Sequence, residues 1–246
     1  MLALGLLAVT AILFVGLTFW RRRSVTAASL RLIDAYERLN RSVGLAVENG
    51  TRLHISLGRG NFFTARGGSA LAGLAMLRRL SERTSVSDRP PVVTSGDASL
   101  AILSQDSLQS GYQAAGAQDQ YRFTTGRLTG LTPFSYAAGA LPAIHDENVS
   151  ANIVIGDLGT ESALLAEAAD RENTSLIAAS DDLSAQSVFF ASSQDPLIGE
   201  ELFAAGAYVG AGASHEASLH VQDILRWLII LAIILGSLLK LVGAPI

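Results

Sequence analysis

The sequence predicts an α/β domain, doubly wound around a mostly parallel sheet and held between an N-terminal and a C-terminal transmembrane helix. Three observations carry this expectation. Both ends of the 246-residue chain are apolar runs long enough to cross a bilayer, and strand-like and helix-like segments alternate between them. Several of the strand-like segments are unbroken apolar runs, as expected when helices cover both faces of a parallel sheet. Composition agrees, since a mean hydropathy of +0.35 with 49% hydrophobic and 16% charged residues is too apolar for an ordinary soluble enzyme.

Residues 1–20, MLALGLLAVTAILFVGLTFW, contain no charged side chain and no proline, and Trp20 with Arg21, Arg22 and Arg23 closes the run. A cleavable signal peptide has its positive charge before the apolar stretch, so this order predicts an uncleaved anchor. Residues 21–50 read as a juxtamembrane helix and linker. Leu30, Ile33, Tyr36 and Leu39 recur at helical spacing, and a helix over roughly 26–47 stops at Asn49 and Gly50.

The α/β domain follows over 51–213. RLHISLG (52–58) predicts a strand, SALAGLAMLRRLSER (69–83) a helix, and PPVVTSG (90–96) a strand introduced by two prolines. Next come a helix over 98–116, a short strand in YRFTTG (121–126), and a helix over 132–144 that Pro142 is expected to bend. NIVIG (152–156) and TSLIAAS (174–180) predict strands flanking the helix TESALLAEAADREN, SVFFASS (187–193) a further strand, and PLIGEELFAAGAY (196–208) a helix. From 214 to 246 one long helix is expected to leave the domain and become the second span, with Arg226 and Trp227 at one interface and Lys240 reaching the other.

Arginines directly after the first span and before the second place everything between them in the cytoplasm by the positive-inside bias. The expected setting is therefore an integral protein of the bacterial inner (cytoplasmic) membrane, with the lipid bilayer as its first partner. Cysteine is absent, which excludes disulfides, thiolate-ligated metals and thiol catalysis. Charge is unevenly spread. Up to Arg127 there are 15 basic and 8 acidic residues, and from Leu128 onward 3 and 14, which gives halves of +7 and −11. These can neutralise each other inside one domain, or unlike patches can drive head-to-tail assembly into a homo-oligomer. Assembly is favoured by arginine supplying 17 of the 18 basic residues, and by Ala232, Gly236 and Gly243 as a small-residue face on the second span.

Three turns repeat one design of apolar strand, small residue, Asp and helix start, at VVTSGDASLA, IVIGDLGTESA and IAASDDLSA. A parallel sheet gathers such turns on its carboxyl edge, so Gly96, Asp97, Gly156, Asp157, Asp181, Asp182 and Asp195 would form an acidic crown with Glu161 close by. The aspartates are expected to cap helices first, and to hold a ligand or cation second. LGRGNFFTARGGSA (57–70) adds Gly58, Arg59, Gly60 and Arg66, whose backbone N–H groups and guanidiniums would suit an anion, although the spacing matches neither GxGxxG nor a P-loop.

Enzyme motifs fail on spacing. In HEASLH the two histidines are five residues apart, about 140° round a helix, and cannot share a metal. No GxSxG elbow is present, and GDLGT lacks the second Asp of a phosphatase loop. His54 and His145 are expected to be satisfied structural residues. The arginines lack aromatic interleaving, which weighs against nucleic acid as a partner. No motif assigns a cofactor, and no intact catalytic motif supports an enzyme.

NGTRLHISLGRG, ANIVIGDLGTESALLAEA, PLIGEELFAAGAYVG and ASLHVQDILRW together resemble an uncharacterised bacterial membrane-anchored family, domain of unknown function 6754. The resemblance implies an α/β domain paired with a C-terminal membrane helix, and carries no catalytic residue with it. Two functional expectations follow from the residues themselves. One is a membrane-anchored scaffold that forms a homo-oligomer on the cytoplasmic face. The alternative is a membrane-tethered sensor or enzyme that binds a small phosphorylated or nucleotide-like ligand at the carboxyl edge.

Overall fold

Alternation along the central strand decides the layering. In β1 (Arg52–Gly58), Leu53, Ile55 and Leu57 face one side of the sheet while His54 and Ser56 face the other, and all five are buried. The structure is a computed structural model that describes residues 2–23, 30–61 and 67–241. Contacts divide the chain into two units, one of residues 30–211 and one formed by the two ends.

In the first unit, α2 (Asp34–Glu48) precedes β1, followed by α3 (Gly67–Thr84), β2 (Val92–Ser95), α4 (Ala98–Ala114), β3 (Gly126–Leu128) and α5 (Pro133–Asp146). β4 (Val149–Asp157), α6 (Ser162–Arg171), β5 (Ser175–Ser180), α7 (Leu183–Ser192) and α8 (Ala205–Tyr208) complete it. The five strands are all parallel, in the order β3-β2-β1-β4-β5, with Ile55 level with Val93 on one side and Ile153 on the other. Tyr36, Leu39 and Val43 of α2, Leu74, Leu77 and Leu80 of α3, and Leu100 and Leu108 of α4 pack on the Ile55 face. Tyr136 and Ile144 of α5, Leu165 of α6 and Phe189 of α7 pack on the opposite face. The doubly wound architecture is therefore present.

Four sequence expectations change. SVFFASS is no strand but the body of α7: Asp182 caps that helix, and Ala185 and Phe189, one helical turn apart, are its buried residues, while Phe190 is exposed. Helical spacing of the buried side chains overrides the local strand propensity. YRFTTG is mostly a 3-10 turn at Phe123–Thr125, and β3 begins only at Gly126. The segment from Pro196 first bridges β5 through Leu197 and Ala179, and its helical part is a 3-10 turn at Gly199–Ala204 followed by α8. The helix expected to be juxtamembrane starts at Asp34 and belongs to the α/β core, where Tyr36 stacks on Tyr208 at 4.5 Å and donates its hydroxyl hydrogen to the Glu201 carbonyl. As for Pro142, α5 continues through it to Asp146.

Five arginines of the basic half meet four carboxylates of the acidic half within this unit. Arg31 pairs with Glu201, Arg38 with Asp195, Arg59 with Glu161, and both Arg52 and Arg127 with Glu147. Each pair joins an arginine of the basic half to a carboxylate of the acidic half. These pairs neutralise part of the imbalance within one chain. Burial by itself would raise the Glu147 carboxyl, but the Arg127 and Arg52 guanidiniums hold it below the ordinary carboxylate range.

The second unit holds α1 (Leu2–Arg23) and α9 (Ala213–Leu241). Leu4–Arg23 and Ala213–Leu238, of 20 and 26 residues with a mean hydropathy of 1.9 each, are long and apolar enough to cross a membrane. At most 6% of either apolar window is buried within the chain, unlike the core helix of a soluble protein. The expected second span is continuous with the helix that begins at Ala213, while Gly243 lies outside the described residues.

Candidate functional site

The strand order creates a switch point. From β1 the chain moves outward through β2 to β3, then returns to place β4 on the other flank of β1, so the loops after β1 and β4 diverge at the carboxyl edge. Ligands of doubly wound sheets bind in that crevice.

Among the described residues the chain's own groups meet across this crevice. Gly58 and Asp157 are register partners, and the Arg59 N–H donates to the Asp157 carbonyl at 2.9 Å while the Gly96 N–H donates to the Gly58 carbonyl at 2.8 Å. Gly58 and Gly156 have φ of +71° and +145°. A Cβ would lie 2.4 Å from the Asp157 carbonyl oxygen at Gly58 and 2.1 Å from that of Leu57 at Gly156. Both glycines serve the close approach of β1 and β4.

Arg59 crosses the edge and donates from Nε to Glu161 Oε1 at 3.0 Å. The Glu161 side chain is 2% exposed and that of Arg59 27%. The arginine stem lies against Gly96, where a Cβ would be 2.3 Å from its Cγ. Tyr136 approaches from below, with its hydroxyl accepting from the Gly58 N–H at 3.1 Å and bonded to the Ser56 hydroxyl. Burial raises the Tyr136 phenol above its usual range, so it stays protonated.

Of the candidate residues, Gly58, Arg59, Gly96, Gly156, Asp157 and Glu161 converge on this point, and Gly60 is buried just beyond β1. Arg66 lies outside the described residues. Asp97 caps α4, accepting from the Ser99 and Leu100 N–H groups at 2.9 and 3.1 Å, and Asp182 caps α7 by accepting from Ser184 at 2.9 Å. Asp157 is not at the N-cap position of α6, which Glu161 occupies. It ends β4, and α6 begins only at Ser162, after a turn in which the buried Leu158 is inserted. Asp195 also leaves the crown: it follows the C-terminal end of α7 and pairs with Arg38 of α2.

A buried polar network beneath the crevice is missing from the sequence expectations. His54 Nδ1 lies 2.9 Å from Asn152 Oδ1, and Nε2 lies 2.9 Å from Thr94 Oγ1. The Asn152 amide donates to Thr174 at 2.6 Å, and Thr174 in turn donates to the Ala169 carbonyl at 3.0 Å. Asn152 Oδ1 must then accept from Nδ1–H, so Nε2 accepts from the Thr94 hydroxyl. Every proton in the chain from Thr94 to Ala169 has one direction. Burial holds His54 neutral, with its pKa pushed down to about 4. The polar alternation His54-Ile55-Ser56 in a strand flanked by helices is the signal that could have revealed the network.

His145 is satisfied as expected, with Nδ1 2.8 Å from Glu172. Among the described residues no group of three or more His, Asp or Glu is placed to hold a metal ion. The family model for domain of unknown function 6754 matches residues 1–246. No curated protein and no solved structure matches the chain.

Proposed function

We propose, for a chain that belongs to the family of domain of unknown function 6754, that the protein is a membrane-anchored scaffold whose copies associate into a homo-oligomer. The observation that carries this reading is the contact, among the described residues, of the chain's own groups at the switch point. Arg59 is engaged by Glu161, Tyr136 by Ser56 and Gly58, and the two glycines by the approach of β1 to β4. Groups that would meet a ligand in a doubly wound enzyme here meet one another.

Orientation rests on the arginines. Arg21, Arg22 and Arg23 follow the first span, and the positive-inside bias puts the α/β unit on the cytoplasmic side of a bacterial inner membrane. Association rests on the spans, since five arginines of the basic half are already engaged by carboxylates within the α/β unit. Gly236 has open space where a Cβ would stand, and with Ala232 one turn earlier it offers a neighbouring helix a close approach. Phe123, Leu131, Phe134, Leu183 and Phe190, each at least 66% exposed, supply further apolar surface on the α/β unit.

One observation favours the alternative of a ligand-binding sensor or enzyme. Arg59 keeps a solvent-facing side, so a phosphate could share or replace its contact with Glu161. Thermal melting of the purified full chain with and without nucleotides and inorganic phosphate separates the two readings. The scaffold reading predicts an unchanged midpoint with every probe. A saturable rise with one ligand class, lost in Arg59→Gln, would replace it with the alternative.

A further inference from the structure

The two edges of the sheet end differently. At β5 the Leu197 N–H donates to the Ala178 carbonyl at 3.0 Å, so the segment after α7 covers part of that edge. At β3, among the described residues, no strand pairs with the outer side. Leu128 is level with Ser95, and the Thr129 N–H donates to the Ser95 carbonyl at 3.0 Å. In a parallel ladder this alternation turns the main chain of Arg127 toward β2 and that of Leu128 outward. The Leu128 N–H and C=O therefore both point away from the sheet.

Apolar side chains frame this open edge. Leu128 lies on the face that α4 covers, since a Cβ at Gly126, two residues earlier, would meet Ser104 and Gln105 of α4. One turn before Gln105, α4 exposes Ile102 and Leu103, and the chain just past β3 exposes Leu131 and Phe134. With Leu128 these side chains present on the order of 500 Å², against about 800 Å² per partner in a stable interface. The frame is large for a monomer surface and short of a full interface.

Charge and hydrogen bonding choose the occupant. From Leu128 to Ile144 the sequence holds no charged residue and α4 holds only Asp106, so a strongly charged partner finds little to pair with. A residue that turns both its N–H and its C=O outward is half of an antiparallel hydrogen-bonded pair, and a second Leu128 supplies the other half. A two-fold axis through that pair sets Arg127, already held by Glu147, opposite Thr129 of the partner subunit. Like charges then do not face each other along the strands.

We propose that two copies of the chain join β3 to β3, antiparallel about a two-fold axis at Leu128, into one sheet continuous across both. The inference rests on the proposed self-association, because an interface of this size needs the membrane helices to bring the copies together first.

The chain has no cysteine, so Leu128→Cys introduces a single thiol. Residues of an antiparallel hydrogen-bonded pair have Cα atoms about 5.5 Å apart, within the reach of a disulfide. In cell membranes carrying the full chain, copper-phenanthroline oxidation is expected to join Leu128→Cys into a covalent dimer about tenfold faster than Leu45→Cys, an exposed position on α2. In the otherwise unaltered protein the same pairing protects the Leu128 amide from hydrogen exchange, and Gly236→Leu should release it. An oligomer by mass that cross-links equally at the two positions, or whose Leu128 amide exchanges freely, overturns the edge pairing and leaves self-association standing. A monomer by mass overturns both. A Leu128→Cys adduct with the mass of another protein places a different chain on this edge and overturns the second copy.

Discussion

Arg59 and Glu161, 102 residues apart in the chain, meet at 3.0 Å across the carboxyl edge of the sheet, and the carboxylate is almost wholly buried. This contact joins the loops that follow β1 and β4 at the point where ligands of such sheets are held. Removing the arginine leaves a buried carboxylate without its cation, which is strongly destabilising, whereas a neutral isostere of the acid leaves no unpaired charge. Arg59→Ala is expected to cost about 3 kcal/mol in denaturant unfolding of the full chain, and Glu161→Gln clearly less. Equal, small losses would show that the pair does not hold the edge together.

The caps give a second test. Asp97→Ala and Asp182→Ala should each cost about 1 kcal/mol, with the Asn variants near the original stability because Asn caps about as well as Asp. Loss of stability in Asp97→Asn as large as in Asp97→Ala would mean that the charge, and not the cap, is what matters there.

His54 gives the fold an acid-sensitive element. Its pKa is about 4 in the folded protein against 6.5 for an ordinary histidine, so between those values the unfolded chain binds one more proton than the native state. Stability from this group is complete above pH 6.5 and falls as the pH drops, by up to about 1.4 kcal/mol per unit, until the folded pKa is passed. Glu147, held below the carboxylate range by Arg127 and Arg52 despite its burial, adds its loss at lower pH. Unfolding measured between pH 5 and 6.5 should therefore show a slope that His54→Gln flattens. An unchanged slope in that variant would remove His54 as its source.

Much of the fold is legible in the sequence, and the failures have physical causes. RLHISLG reads as β1 residue for residue, since it is bounded by Gly50 and by Gly58 and lies between helical patterns. α7 is misread because Val188, Phe189 and Phe190 favour a strand locally, while the helix is decided by the Asp182 cap and by burial of Phe189 beneath the sheet. Arg59 and Glu161 are legible as residues of strand-end loops. Tyr136 is not, because the crossover from β3 to β4 delivers it and a tyrosine in a helix carries no signal of what its hydroxyl will meet. Nor does a Gly-Asp pair reveal whether the next helix begins at once, as after Asp97, or four residues later, as after Asp157.

The place of α2 follows from burial. Leu39 is 0% exposed within the same core as Ile55 and Leu77, so Leu39→Ala should cost about 3 kcal/mol, the range for a buried leucine. A loss below about 1 kcal/mol would return α2 to the role of a linker that merely lies against the domain.

Self-association through the membrane helices is tested most directly by the mass of the detergent-solubilised full chain at low and high salt, with Gly236→Leu measured alongside. A Cβ at Gly236 meets nothing within 4 Å among the described residues, so the chain itself leaves room for a side chain to begin there. The expected result is an oligomer of the same mass at both salt concentrations, reduced to a monomer by Gly236→Leu. A monomer under all conditions, or an oligomer that dissolves with salt and ignores Gly236→Leu, would contradict the account.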